Sequence, residues 1–138
     1  MKYLKIYMIE DDDDHYELAD YNINQSDYAE ILYRSSDGEE ALSLIDQIIE
    51  EEVEKPDLVM LDINIPKIDG IEVLKKIKGC NELASIPVVI FTTSNASRDK
   101  VRAYENHANS YMVKPADFDE MKRMLDLMIE YWGNCNRL

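Results

Sequence analysis

The chain has 138 residues, and at roughly 100–200 residues per domain this is one compact domain, too short for an added catalytic or DNA-binding module. It is 46% hydrophobic and 32% charged with 4 Gly and 4 Pro, which excludes disordered and collagen-like classes. With 29 Asp plus Glu against 15 Lys plus Arg, the net charge of −14 makes nucleic acid and anionic membranes poor partners.

The first predicted element is a strand, Leu4 to Ile9, closed by Glu10 and four aspartates and too short for a signal-peptide apolar region. His15 to Asn24 follows as a helix with Leu18, Ala19, Tyr21 and Ile23 but no clean stripe. A second strand runs Glu30 to Tyr33, and Ala41, Leu42, Ile45, Ile48 and Ile49 mark the next helix. The acidic stretch Ile49 to Lys55 reads as a solvated helix end. A third strand, Leu58 to Leu61, precedes a helix marked by Ile71, Leu74 and Ile77. Strands Val88 to Phe91 and Tyr111 to Val113 come next, and the last helix spans Asp117 to Trp132. No apolar run approaches the ~18 residues of a membrane span. Cys80 and Cys135 have neither CxxC spacing nor a ligand grouping with His15 or His107, as expected for ordinary thiols in a reducing cytosol.

The order is βαβαβ throughout. Short strands that are apolar on both faces, separated by helix-length segments, imply an α/β fold: a parallel sheet covered by helices on both sides through right-handed crossovers. In such sheets ligands bind beyond the carboxyl ends of the strands, where strand order reverses. Here those ends carry Glu10 to Asp14, Asp62, Thr92-Thr93-Ser94 and Lys114-Pro115. Glu10, Asp11 and Asp62 brought together would repel, at ~4 Å and an effective dielectric near 20, by about 4 kcal/mol per pair. A hard dication with oxygen ligands, Mg²⁺ above all, suits three such carboxylates, and Lys114 adds a fixed positive charge. Asp12, Asp13 and Asp14 exceed what one cation needs; they read as solvated, with Asp13 or Asp14 able to cap the first helix. Asp62 directly follows an apolar strand, an expensive place for an unpaired carboxylate.

Four segments, Ile9-Glu10-Asp11, Met60 to Gly70 around Asp62, Phe91-Thr92-Thr93-Ser94 and Tyr111-Met112-Val113-Lys114-Pro115, together make the chain resemble the receiver domain of two-component response regulators. Val88 to Ser94, His107-Ala108-Asn109 and Tyr131-Trp132 look similar to stand-alone receivers serving bacterial phytochrome kinases. The resemblance implies a doubly wound, flavodoxin-like sheet of order 2-1-3-4-5. It also implies that residues 1–138 form a single receiver domain without an output domain, in a prokaryotic cytoplasm. Asp62 would be the phosphoacceptor, fed by a phosphohistidine of a histidine kinase or phosphotransferase. Glu10, a mild departure from the family's Asp-Asp pair that many receivers of this look share, would hold Mg²⁺, directly or through water, together with Asp11, Asp62 and the backbone carbonyl of Asn64. Thr92 and Lys114 would stabilise the phosphoryl group, Tyr111 would switch with Thr92, and the Lys114–Pro115 bond would be cis. By the same resemblance the domain would catalyse only its own phosphorylation and dephosphorylation, and its output would be protein–protein contact with a downstream target.

Two rivals fit less well. A haloacid-dehalogenase-like phosphatase also uses a strand-end Asp with Mg²⁺ and Lys, but needs a second acid two residues on, where this chain has Asn64. A nucleotide carrier of flavodoxin type needs a Ser/Thr/Gly-rich loop where this chain has Glu10 and aspartates. A receiver-like scaffold that is never phosphorylated is disfavoured because no phosphorylation residue is missing. His15 and His107 read as surface or packing residues. On the last helix, Phe118, Met121, Leu125, Met128, Ile129 and Trp132 share one ~100° arc suited to the sheet, and Met124, Leu127 and Tyr131 form a second patch beside it. That patch is expected to serve homodimerisation or partner docking.

Overall fold

The structure, a computed structural model, describes residues 2–135, with side chains through Asn134. The element order is β1 (Leu4–Ile9), α1 (Asp13–Asn24), β2 (Ala29–Ser35), α2 (Gly38–Ile49), β3 (Leu58–Leu61), α3 (Gly70–Gly79), β4 (Val88–Thr92), α4 (Ser97–Glu105), β5 (Ser110–Val113) and α5 (Phe118–Glu130), closed by a π-helical turn, Tyr131–Cys135. The five strands are parallel in the order β2-β1-β3-β4-β5, as the resemblance implied.

Side chains alternate across a strand, and the central strands send apolar groups both ways. Val59, Leu61, Val88 and Ile90 join Ala41, Ile45, Ile48, Leu74 and Ile77 under α2 and α3, whereas Met60, Val89 and Phe91 join Ala19, Ile23, Met121 and Leu125 under α1 and α5. The edge strand β5 is half-buried along its length. Aspartates start three helices by accepting a backbone N–H: Asp12 from His15 (3.0 Å), Asp37 from Glu40 (2.8 Å) and Asp69 from Ile71 (2.9 Å).

The cap of α1 is Asp12, not Asp13 or Asp14, because the helix begins two residues earlier than its apolar residues suggest. The fourth crossover, α4, offers the sequence no stripe because it buries only Ala103 and leaves Val101 and Tyr104 exposed. Phe118 does not reach the sheet: it begins α5 and lies exposed beside Tyr21 of α1, ring centroids 6.4 Å apart. Trp132 follows α5 in the π-helical turn and is only partly buried. No peptide bond among the described residues is cis, so Lys114–Pro115 is trans, the form X–Pro bonds favour by about 0.5–1 kcal/mol. Cys80 is a free thiol, and the side chain of Cys135 lies outside the described residues. No described helix is long and apolar enough to cross a membrane.

Candidate functional site

The carboxyl edge of the sheet gathers its polar residues as the strand ends required. Asp62 leaves β3 with its backbone N–H still in the sheet, donating to Ile9 O at 3.0 Å, and its side chain is buried. Its Oδ1 accepts from the Asn64 N–H (3.0 Å) and its Oδ2 lies 2.8 Å from Lys114 Nζ. Lys114 is placed by β5, its own N–H donating to Thr92 O at 2.7 Å, and it is no surface lysine, at 8% exposure. The ammonium also contacts Glu10 Oε1, an ion pair that lacks the alignment of a hydrogen bond. Burial pushes the Glu10 carboxyl above its ordinary range and Asp62 adds to this, while Lys114 opposes it.

Glu10, Asp11 and Asp62 each offer a carboxylate oxygen, all within 4.8 Å of one another, with Glu10 and Asp62 buried and Asp11 exposed. One ammonium shared by two buried carboxylates, with a third carboxylate beside them, leaves negative charge in excess, and the donors are all hard oxygens. That set fits a dication of the Mg²⁺ or Mn²⁺ kind. Asn64 is exposed, its side-chain amide 3.5 Å from Thr92 Oγ1. Thr92 is fully buried and its hydroxyl accepts from the Ser94 N–H at 3.3 Å. Tyr111 is half-buried, and its hydroxyl donates to Ser94 O at 3.0 Å; burial is the main cause that raises its pKa.

One residue set aside from the sequence stands in the site. His15, on the first turn of α1, places Nδ1 2.9 Å from Lys114 Nζ, so it is not a mere surface or packing histidine. The two are 99 positions apart, and only the closure of α1 over the strand ends brings them together. No sequence signal marks this beyond the position of His15 just after the acidic loop. His107 is exposed in the loop after α4, as expected. On the far side of β5, Met124 is half-buried and Leu127 and Tyr131 are about half exposed. With Met112, Pro115 and Trp132 they line an open apolar groove of about 530 Å³.

Comparison with known proteins agrees with this geometry. The model of the response regulator receiver domain matches residues 6–126. The chain is 49% identical over 82 residues to a probable methanogenesis regulatory protein, FilR2 of Methanothrix harundinacea, covering 59% of this chain and 53% of that one. It is 38% identical over 97 residues to response regulator Rcp1 of Synechocystis, covering 70% and 66%. The chain thus spans about half to two thirds of the length of these relatives. Among solved structures, the phosphorylated cyanobacterial phytochrome response regulator RcpA superimposes with a TM-score of 0.90 at 31% identity, over 99% of this chain and 98% of that one. A Mn²⁺-bound form of Rcp1 does so with a TM-score of 0.86 at 31% identity, over 98% of both chains. Sheet order, the acid–lysine edge and these matches agree: the chain belongs to the receiver domains of two-component response regulators.

Proposed function

We propose that Asp62 is the phosphoacceptor of a phosphorylation-controlled switch, and the observation that carries this is its buried carboxylate 2.8 Å from Lys114 Nζ at the end of the central strand β3. In this reading an Asp62 oxygen attacks the phosphorus of a phosphohistidine in line. The P–O bond forms as the P–N bond breaks, and the electron pair returns to the imidazole nitrogen, which then takes up a proton. Thr92 donates its hydroxyl to one phosphoryl oxygen and Lys114 pairs with another, so both neutralise charge that develops in transfer. Glu10, Asp11, Asp62 and the Asn64 carbonyl would hold Mg²⁺, which when bound supplies Lewis-acid neutralisation of phosphoryl charge. Tyr111 moves with Thr92, because its hydroxyl partner, Ser94 O, lies in the segment that Thr92 would draw toward the phosphoryl group.

The donor is a histidine kinase or phosphotransferase, and the likeness to the phytochrome response regulator RcpA supports a phytochrome-type kinase. Output runs through protein–protein contact at the β5–α5 groove, to a second copy or a downstream target, using Met124, Leu127 and Tyr131. Incubating the protein with acetyl phosphate or a phosphorylated kinase in Mg²⁺ should give base-labile label on wild type and none on Asp62→Asn. Full labelling of Asp62→Asn would overturn the assignment. Leu127→Glu with Tyr131→Ser should lower self-association or partner binding in beryllofluoride while leaving Asp62 labelling intact. Unchanged sedimentation and pull-down would return these residues to ordinary surface.

A further inference from the structure

We infer that Arg34 is the positioning residue of the acidic metal loop: its guanidinium fastens the backbone of Glu10 and Asp11 and so sets the carboxylates that hold the dication. The inference rests on reading those two residues as metal ligands.

Arg34 sits near the end of β2 and is partly buried. Its Nε and one terminal nitrogen donate to Glu10 O at 3.2 and 3.1 Å, and the same terminal nitrogen reaches Asp11 O at 3.5 Å. It also pairs with Asp13 Oδ1 at 2.7 Å, and its guanidinium lies 4.3 Å from the centroid of the Tyr16 ring. One planar fork therefore bridges β2, the β1–α1 loop and the first turns of α1. A planar, five-donor guanidinium suits this, and an ammonium does not.

The placement depends on an irregularity in the sheet. β1 and β2 pair Ile6 with Ile31 but then Tyr7 with Tyr33, so Leu32 is an extra residue. Past this bulge Arg34 is level with Met8 and shares its face, toward α1. Without it Arg34 would pair with Ile9 and point to the α2 side, since a one-residue slip moves a side chain to the opposite face. The bulge thus sets Arg34 against the loop whose carboxylates need a fixed arrangement.

The two roles an arginine could have here predict opposite signs. As a nearby positive charge, Arg34 would repel a dication, and removing it would tighten metal binding. As a fastener of the ligand loop, its removal should weaken binding, by the 10–100-fold typical of groups that orient metal ligands. The experiment is titration with Mn²⁺, free ion being read by its EPR signal, on the full chain, with Asp11→Asn as control and melts in EDTA run in parallel. Arg34→Met should bind Mn²⁺ at least ~10-fold more weakly than wild type. Arg34→Lys, which keeps the charge and loses the fork, should also be weakened, and it carries the test if Arg34→Met does not fold. Equal or tighter binding by Arg34→Lys or a folded Arg34→Met, with wild type binding and Asp11→Asn not binding, overturns the role of Arg34 alone. A lowered melt in EDTA with unchanged Mn²⁺ affinity likewise overturns it in favour of plain packing. Absence of Mn²⁺ binding by wild type overturns the metal reading and the inference with it.

Discussion

Replacing Lys114 with methionine tests the electrostatic logic of the site directly. The substitution keeps an unbranched apolar stem of similar length beside Phe91, whose ring centroid lies 5.7 Å from the ammonium, and removes only the charged end. What it leaves is two buried carboxylates, Glu10 and Asp62, with oxygens within 4.8 Å of each other and of Asp11. At 2.8 Å and an effective dielectric near 20, the Lys114–Asp62 attraction alone is about 6 kcal/mol before desolvation is set against it. Breaking one side of a buried pair costs about 3–5 kcal/mol net, since the remaining charge stays buried without its partner. With roughly 2.1 cal/mol/K of unfolding entropy per residue over 138 residues, that is about 10–17 °C in melting temperature. Melts in EDTA should show a loss of this size for Lys114→Met. Saturating Mg²⁺ should raise the variant more than wild type, because a dication can take over the neutralising role. Acidification should also narrow the gap. Burial already lifts the Glu10 carboxyl above its unfolded value and Lys114 opposes the lift, so removing Lys114 raises it further. A raised carboxyl favours the fold below the unfolded pKa, and that contribution fades as pH rises through the folded one. Adding Asp62→Asn to Lys114→Met should recover on the order of 2 kcal/mol in a double-mutant cycle. A metal-free loss below about 1 kcal/mol, or one that Mg²⁺ does not shrink, would refute the view that the lysine is what allows these carboxylates to be buried.

Further outcomes follow from individual contacts. Gly70→Ala should destabilise by about 1–3 kcal/mol or more in urea unfolding, because a Cβ there would meet Ile63 Cα at 2.5 Å and Asp62 O at 2.7 Å; the same backbone carries Asp62, the proposed phosphoacceptor, so its labelling should slow as well. Tyr111→Phe should lose about 1 kcal/mol with the Ser94 O hydrogen bond, measured by denaturant midpoint, while Asp62 remains competent for acetyl phosphate. For Asp37, the Glu40 N–H first and Lys67 after it hold the carboxyl below its ordinary value of 3.8. Its charge therefore stabilises the fold above that value and ceases to as pH falls through the lower folded pKa. Asp37→Asn, which keeps a capping oxygen, should be less stable than wild type at pH 7 and converge with it on acidification, and a gap independent of pH would argue against the ionic contribution.

The strands and the polar edge beyond their carboxyl ends were legible in the sequence because each rests on a local signal. Leu58 to Leu61 is apolar at every position and is followed by Asp62, and an abrupt change from a two-sided apolar run to a carboxylate marks a strand end whatever the rest of the chain does. β1, β4 and β5 end in the same way, at Glu10, Thr92 and Lys114, so four polar positions could be assigned to one edge once the sheet was taken as parallel. The second patch followed from a single helical period; of its residues, Leu127 on α5 and Tyr131 in the turn after it are exposed, whereas Met124 is half-buried against the core. Segment periodicity reports which residues a segment buries, and little about what lies opposite them. Thus α4, held mainly through Ala103, left no stripe, and Phe118 satisfied the arc of α5 yet stands at its solvated first turn. The approach of His15 to Lys114 is set by how α1 crosses the strand ends. The approach of Arg34 to the Glu10 carbonyl is set by one extra residue in a strand pairing. These contacts depend on register and helix placement, which are chosen by the sum of packing across the sheet and are fixed only when all the elements are assembled.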